Sequence, residues 1–421
     1  MVMASKDNLR QRKAGQNAPP PTQKNGATAA LSPEETSKAE KKGKKFMLRA
    51  VFGLLMLGVF FGIICAGHIY VCAVIMIMQG LVFRELVNVR YEASKEKHIP
   101  LFRTIQWVWF AVGLYYTYGD FLLEFAVTHP RASYLVPYVE WVPFIAMMGY
   151  AAVFILSILT LRKGLYRYQV SLLTWTIVIL CIVILQSKYV GNNIFNGLFW
   201  FLFPASLVIC NDTTAYFCGV LFGKKFISKP FLKLSPNKTW EGFIGAAICT
   251  SVAAFFVSRY FAQFSWLICP LDDIYFVPRS QLECEPHYVF QVAELSMPVP
   301  LQELLPYLSR FKMTAMPIQG HAVCLALFVS LVAPFGGFMA SAIKRAYEIK
   351  DFDSIIPGHG GFMDRLDCQF ITALFTWVYY NTFIRSKLAS VAQLTASAAL
   401  LDAEGQRSLL AALQKMVKAA N

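Results

Sequence analysis

Nine apolar runs, each long enough or nearly long enough to cross a bilayer, restrict what this chain can fold into. They fall at about 49–67, 68–84, 104–127, 141–161, 168–186, 194–211, 242–262, 322–343 and 368–385. A helix needs about 20 apolar residues to span the hydrocarbon core. Hydrophobic residues make up 56% of the chain and charged residues only 15%, whereas soluble domains are about a quarter charged. The sequence therefore predicts an all-α, polytopic membrane protein of about nine transmembrane helices.

Two polar segments flank this apolar part, which covers residues 47–385. Residues 1–46 are Lys-rich and almost free of large apolar side chains, so they are predicted to be a disordered basic tail in the cytosol. Residues 386–421 are rich in Leu and Ala and are predicted to form an amphipathic helix broken near Gly405. For this second tail, contact within a homodimer and packing on the membrane surface are both open.

Basic residues divide unequally between the two sides of the predicted bundle. With the N-terminal tail in the cytosol, the cytosolic connections carry seventeen Lys and Arg residues, and they are 84–103, 162–167, 211–241 and 344–367. The two short connections on the other side carry only Arg131 and Lys188. Since Lys and Arg are enriched in cytoplasmic loops, residues 263–320 are predicted to form a lumenal loop.

Cys269 and Cys284 both lie in this predicted lumenal loop. An oxidising lumen would permit a disulfide between them, and the sequence leaves a disulfide and a free pair both open. The chain has ten cysteines, and no two of them show Cys-x-x-Cys spacing. A zinc site is therefore not predicted.

The connection 211–241 carries the first group of candidate site residues. Asp212 follows an apolar run, where an ionised carboxylate costs about 3 kcal/mol, so metal or substrate binding and simple placement at a helix end are the two interpretations. Ser235 is a good N-cap and Pro236 suits the first helical position, which predicts a helix start with Lys238 and Thr239 on its first turn. Such a helix start binds phosphate readily, although an ordinary capped helix is the alternative.

Residues 341–367 carry the second group. Ser341, Lys344, Glu348 and Asp351 recur at spacings of three and four, so they are predicted to line one face of a helix that leaves the membrane. A turn with three glycines then interrupts the helix, and it consists of Pro357, Gly358, His359, Gly360 and Gly361. Glycine permits positive φ and a close approach of the backbone to a ligand.

Asp364 and Asp367 follow this turn and fall one turn apart on the next predicted helix. This spacing suits the oxygen ligands that Mg²⁺ prefers. In the predicted topology these carboxylates meet Lys and Arg side chains at one edge of the membrane, and phosphoryl or nucleotidyl transfer needs mainly such positioning and charge stabilisation. A lipid phosphate is the substrate class expected at that depth.

A transporter is the alternative from a different class of function. It would carry polar and charged residues near the midplane of several helices. Here the charged groups cluster at one face, and only scattered residues such as Asp120 and Glu124 fall within spans. The charge distribution therefore favours an enzyme.

The stretch from Ser341 to Asp367 resembles the signature of the phosphatidate cytidylyltransferase family, the CDP-diacylglycerol synthases. The pattern is met by Ser341, Lys344, Arg345, Lys350, Asp351, Pro357, His359, Gly360, Gly361, Asp364, Arg365 and Asp367. "CNDTTAYFCG" and "LSPNKTWEGFIGA" are similar to the family's second landmark, and the likeness extends over residues 47–385, to the eukaryotic branch above all. The resemblance implies that CTP and phosphatidate give CDP-diacylglycerol and pyrophosphate, with Mg²⁺ as the cofactor.

The resemblance also implies a role for each matched residue. The implied catalytic residues are Lys344, Arg345, Asp351, His359 and Asp364. The implied substrate-binding residues are Ser235, Lys238, Thr239, Glu241, Ser341, Lys350, Gly360, Gly361 and Arg365. Asp364 is implied to hold the metal, with Asp212 and Asp367 as helpers.

Two positions depart from the family pattern. Asp353 stands where a small residue is expected, and the added charge is interpreted as harmless in an exposed turn. Gly337 stands where bacterial relatives place a metal-binding Asp, so Asp212 is expected to complete the metal site here.

A CTP-dependent polyprenol (dolichol) kinase is the alternative among enzymes, since it would use similar charges on a lipid alcohol. The run from Pro357 to Asp367 speaks against it. By resemblance, the expected location is the endoplasmic reticulum membrane, with the active site facing the cytosol. The expected partners are the two substrates and membrane lipids, without nucleic acid.

Overall fold

Long α-helices make up almost all of the protein. The computed structural model describes residues 33–90, 99, 101–128, 134–229, 231–232, 235, 238–271, 284–295, 313–353, 355, 360–385, 398 and 401–420. Within these residues the α-helices are α1 Pro33–Ala66, α2 His68–Asn88, α3 Phe102–Thr128, α4 Val136–Val139, α5 Val142–Leu159, α6 Tyr166–Leu180, α7 Val190–Phe195, α8 Phe199–Phe222, α9 Trp240–Phe261, α10 Ser265–Ile268, α11 Pro317–Leu331, α12 Pro334–Ala346, α13 Met363–Tyr379 and α14 Ala403–Ala420. π-helical segments extend α6 and α13, at Cys181–Leu185 and Tyr380–Ile384.

The helical content agrees with the predicted all-α membrane protein. Six helical segments within the described ranges are long and apolar enough to cross a membrane, and they are His68–Asn88, Val136–Leu159, Tyr166–Phe195, Phe199–Phe222, Trp240–Phe261 and Pro317–Ala346. Helices α3 and α13 cover two further predicted runs without joining that set, and α13 is only 17 residues long. The predicted count of nine transmembrane helices is therefore not confirmed.

The two predicted tails differ in part from expectation. Helix α1 begins at Pro33, so residues 33–46 are helical where the sequence predicts disorder, while residues 1–32 lie outside the described residues. Pro in the first turn and the good helix formers Glu, Lys and Ala account for this helix locally. At the other end, α14 begins at Ala403, and Asp402 accepts a hydrogen bond from the Gly405 N–H at 2.9 Å. The chain is non-helical at Leu401 and Asp402, so a break lies near Gly405 as predicted, and Gly405 itself lies in the first turn of α14.

Helix α8 continues well past Asp212. The apolar residues before Asp212 and those after it form one helix, Phe199–Phe222. Asp212 therefore lies in the middle of a long helix, which excludes simple placement at a helix end, the alternative interpretation of this residue. The run after Asp212 contains no proline before Gly223, so nothing forces the helix to stop there.

Helices α8 and α9 pack closely because two glycines of α9 face α8. A Cβ atom at Gly242 would lie 2.9 Å from the Ala215 carbonyl oxygen, and one at Gly245 would lie 2.7 Å from the Cys218 Sγ atom. Small residues allow helix backbones to approach in membrane proteins. The close approach brings the start of α9 against the half of α8 that carries Asp212.

A hydrophobic cluster supports the ends of α2, α12 and α13. Its fully buried members include Phe83 and Leu86 of α2, Ile179 of α6, Ala340 of α12 and Met363 of α13. Core side chains pack at crystal-like density and resist displacement. The polar segment between α12 and α13 is therefore anchored at both ends in one apolar core.

The predicted lumenal loop contains a small antiparallel sheet and a disulfide. Strands β1, Ala293–Leu295, and β2, Met313–Ala315, pair with Glu294 opposite Thr314. Cys269 and Cys284 are bonded to one another, with their Cα atoms 5.7 Å apart. The disulfide, which the sequence left open, is thus present.

Loss of this disulfide is expected to destabilise the protein, because the bond restricts the unfolded chain across a separation of 15 residues. For a loop of about this length the loss is about 3 kcal/mol in the free energy of unfolding. We expect Cys269→Ala with Cys284→Ala to lower the midpoint of thermal unfolding in detergent, and added reductant to lower that of the wild type equally. Cys65→Ala, at an exposed free cysteine, is the matched control. Equal midpoints for the double variant and the wild type would contradict the expectation.

Candidate active site

A short ion pair joins the end of α12 to the start of α13. The Lys344 Nζ atom lies 2.5 Å from the Asp364 Oδ1 atom, and the side chains are 17% and 8% exposed. The second oxygen of Asp364 accepts hydrogen bonds from the N–H groups of Phe352 at 3.3 Å and Gly361 at 3.2 Å. Asp364 therefore fixes three parts of the signature segment relative to one another.

Helix α12 ends earlier than the spacing of its polar residues predicts. Ala346 is its last residue, the Ile349 N–H donates to the Lys344 carbonyl, and the Glu348 N–H donates to the Arg345 carbonyl. This is the Schellman pattern, in which one residue takes the left-handed conformation, and Glu348 has φ +56°.

The prediction of one helical face through Asp351 is therefore wrong. Ser341 and Lys344 lie on α12, but Glu348 and Asp351 lie beyond its end. Two capping bonds at the helix end outweigh the side-chain periodicity, because they satisfy carbonyl groups that the helix leaves open.

The glycine turn holds protein carboxylates. Gly360 has φ +83°, a conformation that favours glycine, and a Cβ atom there would lie 3.2 Å from the Asp364 Oδ2 atom. The Gly361 N–H donates to Asp364, so this group is not free for a substrate phosphate. His359, with Pro357 and Gly358, lies outside the described residues.

Glu85 of α2 is the functional candidate that sequence reasoning missed. It is fully buried, and its two carboxylate oxygens accept hydrogen bonds from the N–H groups of Phe362 and Met363, each at 2.8 Å. An ionisable residue inside an apolar run is by default a functional candidate. That signal was present in "LVFRELVN", although nothing local could name the partner.

Asp212 lies near the second group of site residues, as the sequence predicts. It interacts electrostatically with Lys238 and Arg365, and Asp367 interacts with both Asp212 and Lys344. The two distant stretches of chain thus meet at one place. Asp212 and Asp367 repel one another there, while the neighbouring cations attract both.

The start of α9 differs from the prediction. Thr239 is the N-cap and its hydroxyl accepts from the Gly242 N–H at 3.2 Å, so the helix begins at Trp240. The predicted N-cap, Ser235, belongs instead to the preceding loop, where its carbonyl accepts from the Lys238 N–H at 3.1 Å. Ser and Thr cap helices about equally well, and the packing of Gly242 on α8 favours the later start.

Lys238 and Glu241 have separate surroundings at this helix start. The Lys238 Nζ atom lies 5.1 Å from the centre of the Phe338 ring of α12, which links the two candidate segments by a cation–π contact. The Glu241 carboxylate accepts from the N–H groups of Phe226 at 3.1 Å and Ile227 at 2.7 Å. Glu241 therefore holds the loop after α8 through its Oε1 atom, while its Oε2 atom is buried without a hydrogen-bond partner among the described residues.

Two glycines of α12 let it approach α13 beside Asp367. A Cβ atom at Gly336 would collide with the Asp367 carbonyl oxygen, and one at Gly337 would lie 3.3 Å from the Asp367 Oδ2 atom. A side chain at position 337 would thus point to the Asp367 carboxylate. That Asp212 completes a metal site in place of a carboxylate at position 337 stays a prediction.

The remaining charged site residues are more exposed than Lys344 and Asp364. Arg345, Lys350, Asp351 and Arg365 are exposed. Asp353, which departs from the family pattern, forms an ion pair with Arg84 of α2 at 3.8 Å, with side chains 26% and 46% exposed. An ion pair this exposed contributes about 0–1 kcal/mol.

The acidic residues do not form a closed metal cage. Among the residues that the structure describes, no three or more His, Cys, Asp or Glu side chains are placed to hold a metal ion together. Asp364 is engaged by Lys344 and by backbone N–H groups, and Asp367 accepts from the Cys368 N–H at 2.8 Å while it interacts electrostatically with Asp212. Such a site suits a cation that takes its other ligands from a substrate.

The comparisons with known proteins cover most of the chain. The model of the cytidylyltransferase family matches residues 47–383. The chain is 45% identical over 356 residues to a probable phosphatidate cytidylyltransferase of Dictyostelium discoideum, covering 83% of this chain and 73% of the relative. It is 38% identical to phosphatidate cytidylyltransferase 1 of Arabidopsis thaliana, over 90% of this chain and 89% of the relative, and 38% identical to phosphatidate cytidylyltransferase 1 of Homo sapiens, over 84% and 76%.

Removal of Lys344 alone is expected to be more harmful than removal of the whole ion pair. Lys344→Met would leave the Asp364 carboxylate without its cation, which costs about 3 kcal/mol for a buried pair. The double variant Lys344→Met with Asp364→Asn should recover much of that loss in thermal unfolding. Lys163→Met, at an exposed lysine, is the matched control, and additive losses in the double variant would show that the pair is not coupled.

Proposed function

The chain belongs to the cytidylyltransferase family, and from that premise we propose that it transfers the cytidylyl group of CTP to phosphatidate. The products are CDP-diacylglycerol and pyrophosphate, in phospholipid biosynthesis. The observation that carries the proposal is the meeting of Asp212 and Lys238 with Lys344, Asp364 and Asp367 at one site. Paired carboxylates beside several cations suit two anionic reactants better than a neutral lipid.

The reaction is an in-line substitution at phosphorus. A phosphate oxygen of phosphatidate forms a bond to the α-phosphorus of CTP, and the bond to the bridging oxygen of the β-phosphate breaks, so that pyrophosphate leaves with the electron pair. A phosphate monoester has its second pKa at about 6, and the attacking oxygen is therefore largely ionised near neutrality. The protein does not need a strong general base for this step.

The protein's contribution is to hold negative groups close together. Arg345, Lys350 and Arg365 are exposed, and Arg365 interacts electrostatically with Asp212, so these cations are proposed to contact the triphosphate or the lipid phosphate. Lys238 stands at the helix start that faces Asp212. Since the N–H group of Gly361 is bound to Asp364, these side chains, rather than the glycine turn, are proposed to neutralise the phosphates.

Mg²⁺ is the proposed cofactor, and the residues present fit it. Asp212 and Asp367 would hold the ion, because two carboxylates together with substrate phosphates are a common ligand set for Mg²⁺. When bound, Mg²⁺ supplies neutralisation of the charge on the triphosphate. Asp364, the ligand implied by the family resemblance, would act beside them while it fixes Lys344.

The proposed reaction predicts a defined set of products. Purified protein in detergent with phosphatidate, labelled CTP and Mg²⁺ should release pyrophosphate and form a CDP-lipid, because the α-phosphorus is attacked. A polyprenol kinase would instead release CDP and phosphorylate a lipid alcohol, so dolichol is assayed in parallel. Release of CDP, or no label in lipid from phosphatidate, would contradict the proposed function.

The proposed metal ligands predict a change in Mg²⁺ dependence. Asp212→Asn and Asp367→Asn should each raise the Mg²⁺ concentration for half-maximal activity by at least about 10-fold, since even outer-shell changes at metal sites cost that much. Asp364→Asn should lower activity at every Mg²⁺ concentration, and full activity at saturating Mg²⁺ would remove Asp364 from the site. Glu140→Gln, at an exposed carboxylate, is the control. An unchanged Mg²⁺ requirement in the first two variants would exclude them as ligands.

The proposed location is the endoplasmic reticulum membrane, with the site on the cytosolic side. The excess of Lys and Arg in the connections on that side supports the orientation, and the disulfide between Cys269 and Cys284 suits an oxidising lumen on the other. In sealed microsomes, whose cytosolic face points outward, a failure to use external CTP together with exposure of the loop 263–320 to the outside would indicate the reverse orientation. A homodimer and packing of α14 on the membrane surface stay predictions, to be checked by cross-linking and by lipid flotation.

A further inference from the structure

Glu85 connects two parts of the chain that are far apart in sequence. Its contacts to Phe362 and Met363 span 277 and 278 residues. Phe362 is the N-cap of α13 and Met363 is its first residue. The carboxylate of α2 therefore satisfies two of the N–H groups that a helix leaves open at its start.

The surroundings of Glu85 disfavour a negative charge on its carboxylate. The side chain is fully buried, and the two charged groups that act on it electrostatically, Asp353 and Asp364, are both acidic. A buried carboxylate is unfavourable without compensation. Here the compensation comes from two backbone N–H groups and from the positive end of the helix dipole, each of which favours a negative group at this place.

Gly361 forms the other half of the contact. A Cβ atom at this position would lie 2.7 Å from the Glu85 Oε2 atom and 3.0 Å from its Oε1 atom. Real Cβ atoms are not found that close, so any other residue at position 361 would displace the carboxylate or the turn. Gly361 is therefore needed for close approach to Glu85 and not for a positive φ, whereas its neighbour Gly360 has φ +83°.

What this contact fixes is the start of α13. Asp364 lies in the first turn of that helix, and Asp367 follows one turn later. A shift of the helix start would move both carboxylates relative to Lys344 and Asp212. Displacements of about 1 Å in a reacting geometry can cost about 100-fold in rate.

We propose that Glu85 is a positioning residue for the transfer reaction, which acts by fixing the N-terminus of α13 through Phe362 and Met363 beside Gly361. The inference rests on the proposed function. Each of its two oxygens is bound to the backbone, so the proposed role acts through the helix start and not through a contact to substrate. It sets the distance between the carboxylates of α13 and the cations of α12.

The first test separates positioning from general stability. Glu85→Ala should lower kcat by about 100-fold per folded molecule, while KM for CTP changes less than about 3-fold, because the exposed cations that bind phosphate are untouched. Glu85→Gln keeps one acceptor oxygen and should show an intermediate loss. Folded protein is counted by monodisperse gel filtration and thermal unfolding, and Glu140→Ala, at an exposed glutamate, is the matched control. A kcat of folded Glu85→Ala within about 2-fold of wild type would overturn the inference.

A double-mutant cycle tests the contact itself. Gly361→Ala should lower kcat at least about 10-fold in the wild-type background, because its methyl group collides with Glu85, but should have little further effect in Glu85→Ala, where that space is empty. Gly80→Ala, in the same helix as Glu85 with nothing within 4 Å of the added methyl group, is the control. Equal losses from Gly361→Ala in both backgrounds would overturn the proposed coupling.

A third measurement does not depend on the reaction. Hydrogen exchange at the amides of Phe362 and Met363 should be faster in Glu85→Ala than in wild type, while the amides of the middle of α13 should be unchanged. If wild-type protein forms no CDP-lipid, the proposed function fails while this measurement still decides the contact. Unchanged exchange at both amides would overturn the inference whatever the substrate.

Discussion

The Lys344–Asp364 ion pair is the interaction on which the arrangement of the site depends. A carboxylate that is 8% exposed needs a partner, and its partner comes from the end of the preceding helix. The same carboxylate binds the backbone before the glycine turn, at Phe352, and at the last residue of the turn, Gly361. One side chain therefore determines how α12, the connecting segment and α13 stand to one another, and the remaining cations and carboxylates are placed relative to it.

Protein carboxylates, rather than open backbone N–H groups, dominate the glycine turn. Gly361 donates to Asp364, and Phe362 and Met363 donate to Glu85. A helix start of this kind is in principle a phosphate site, but here its donors are already in use. Carboxylates of the chain therefore fix the backbone here, and exposed Lys and Arg side chains are proposed to bind the anionic substrates.

Sequence reasoning located the site better than it located the helix ends. The spacing of Lys344, Asp364 and Asp367 indicated side chains that the structure brings together, and Asp212 joins them as expected. The prediction for the start of α9 was wrong because Ser235 and Thr239 are both acceptable N-caps. The choice between them depends on how Gly242 packs against α8. The prediction for the end of α12 was wrong because capping by backbone hydrogen bonds outweighed a regular spacing of polar side chains.

By itself the sequence determined the class of protein, its membrane-spanning character and the chemistry of its charged segment. These properties follow from composition, from the length of apolar runs and from residue spacing within one or two helical turns, which are local quantities. Only the tertiary structure decided that Glu85 binds the start of α13 and that Asp353 pairs with Arg84. The reason is physical: a hydrogen bond between residues 278 positions apart depends on how whole helices pack, and no local pattern in either segment specifies it.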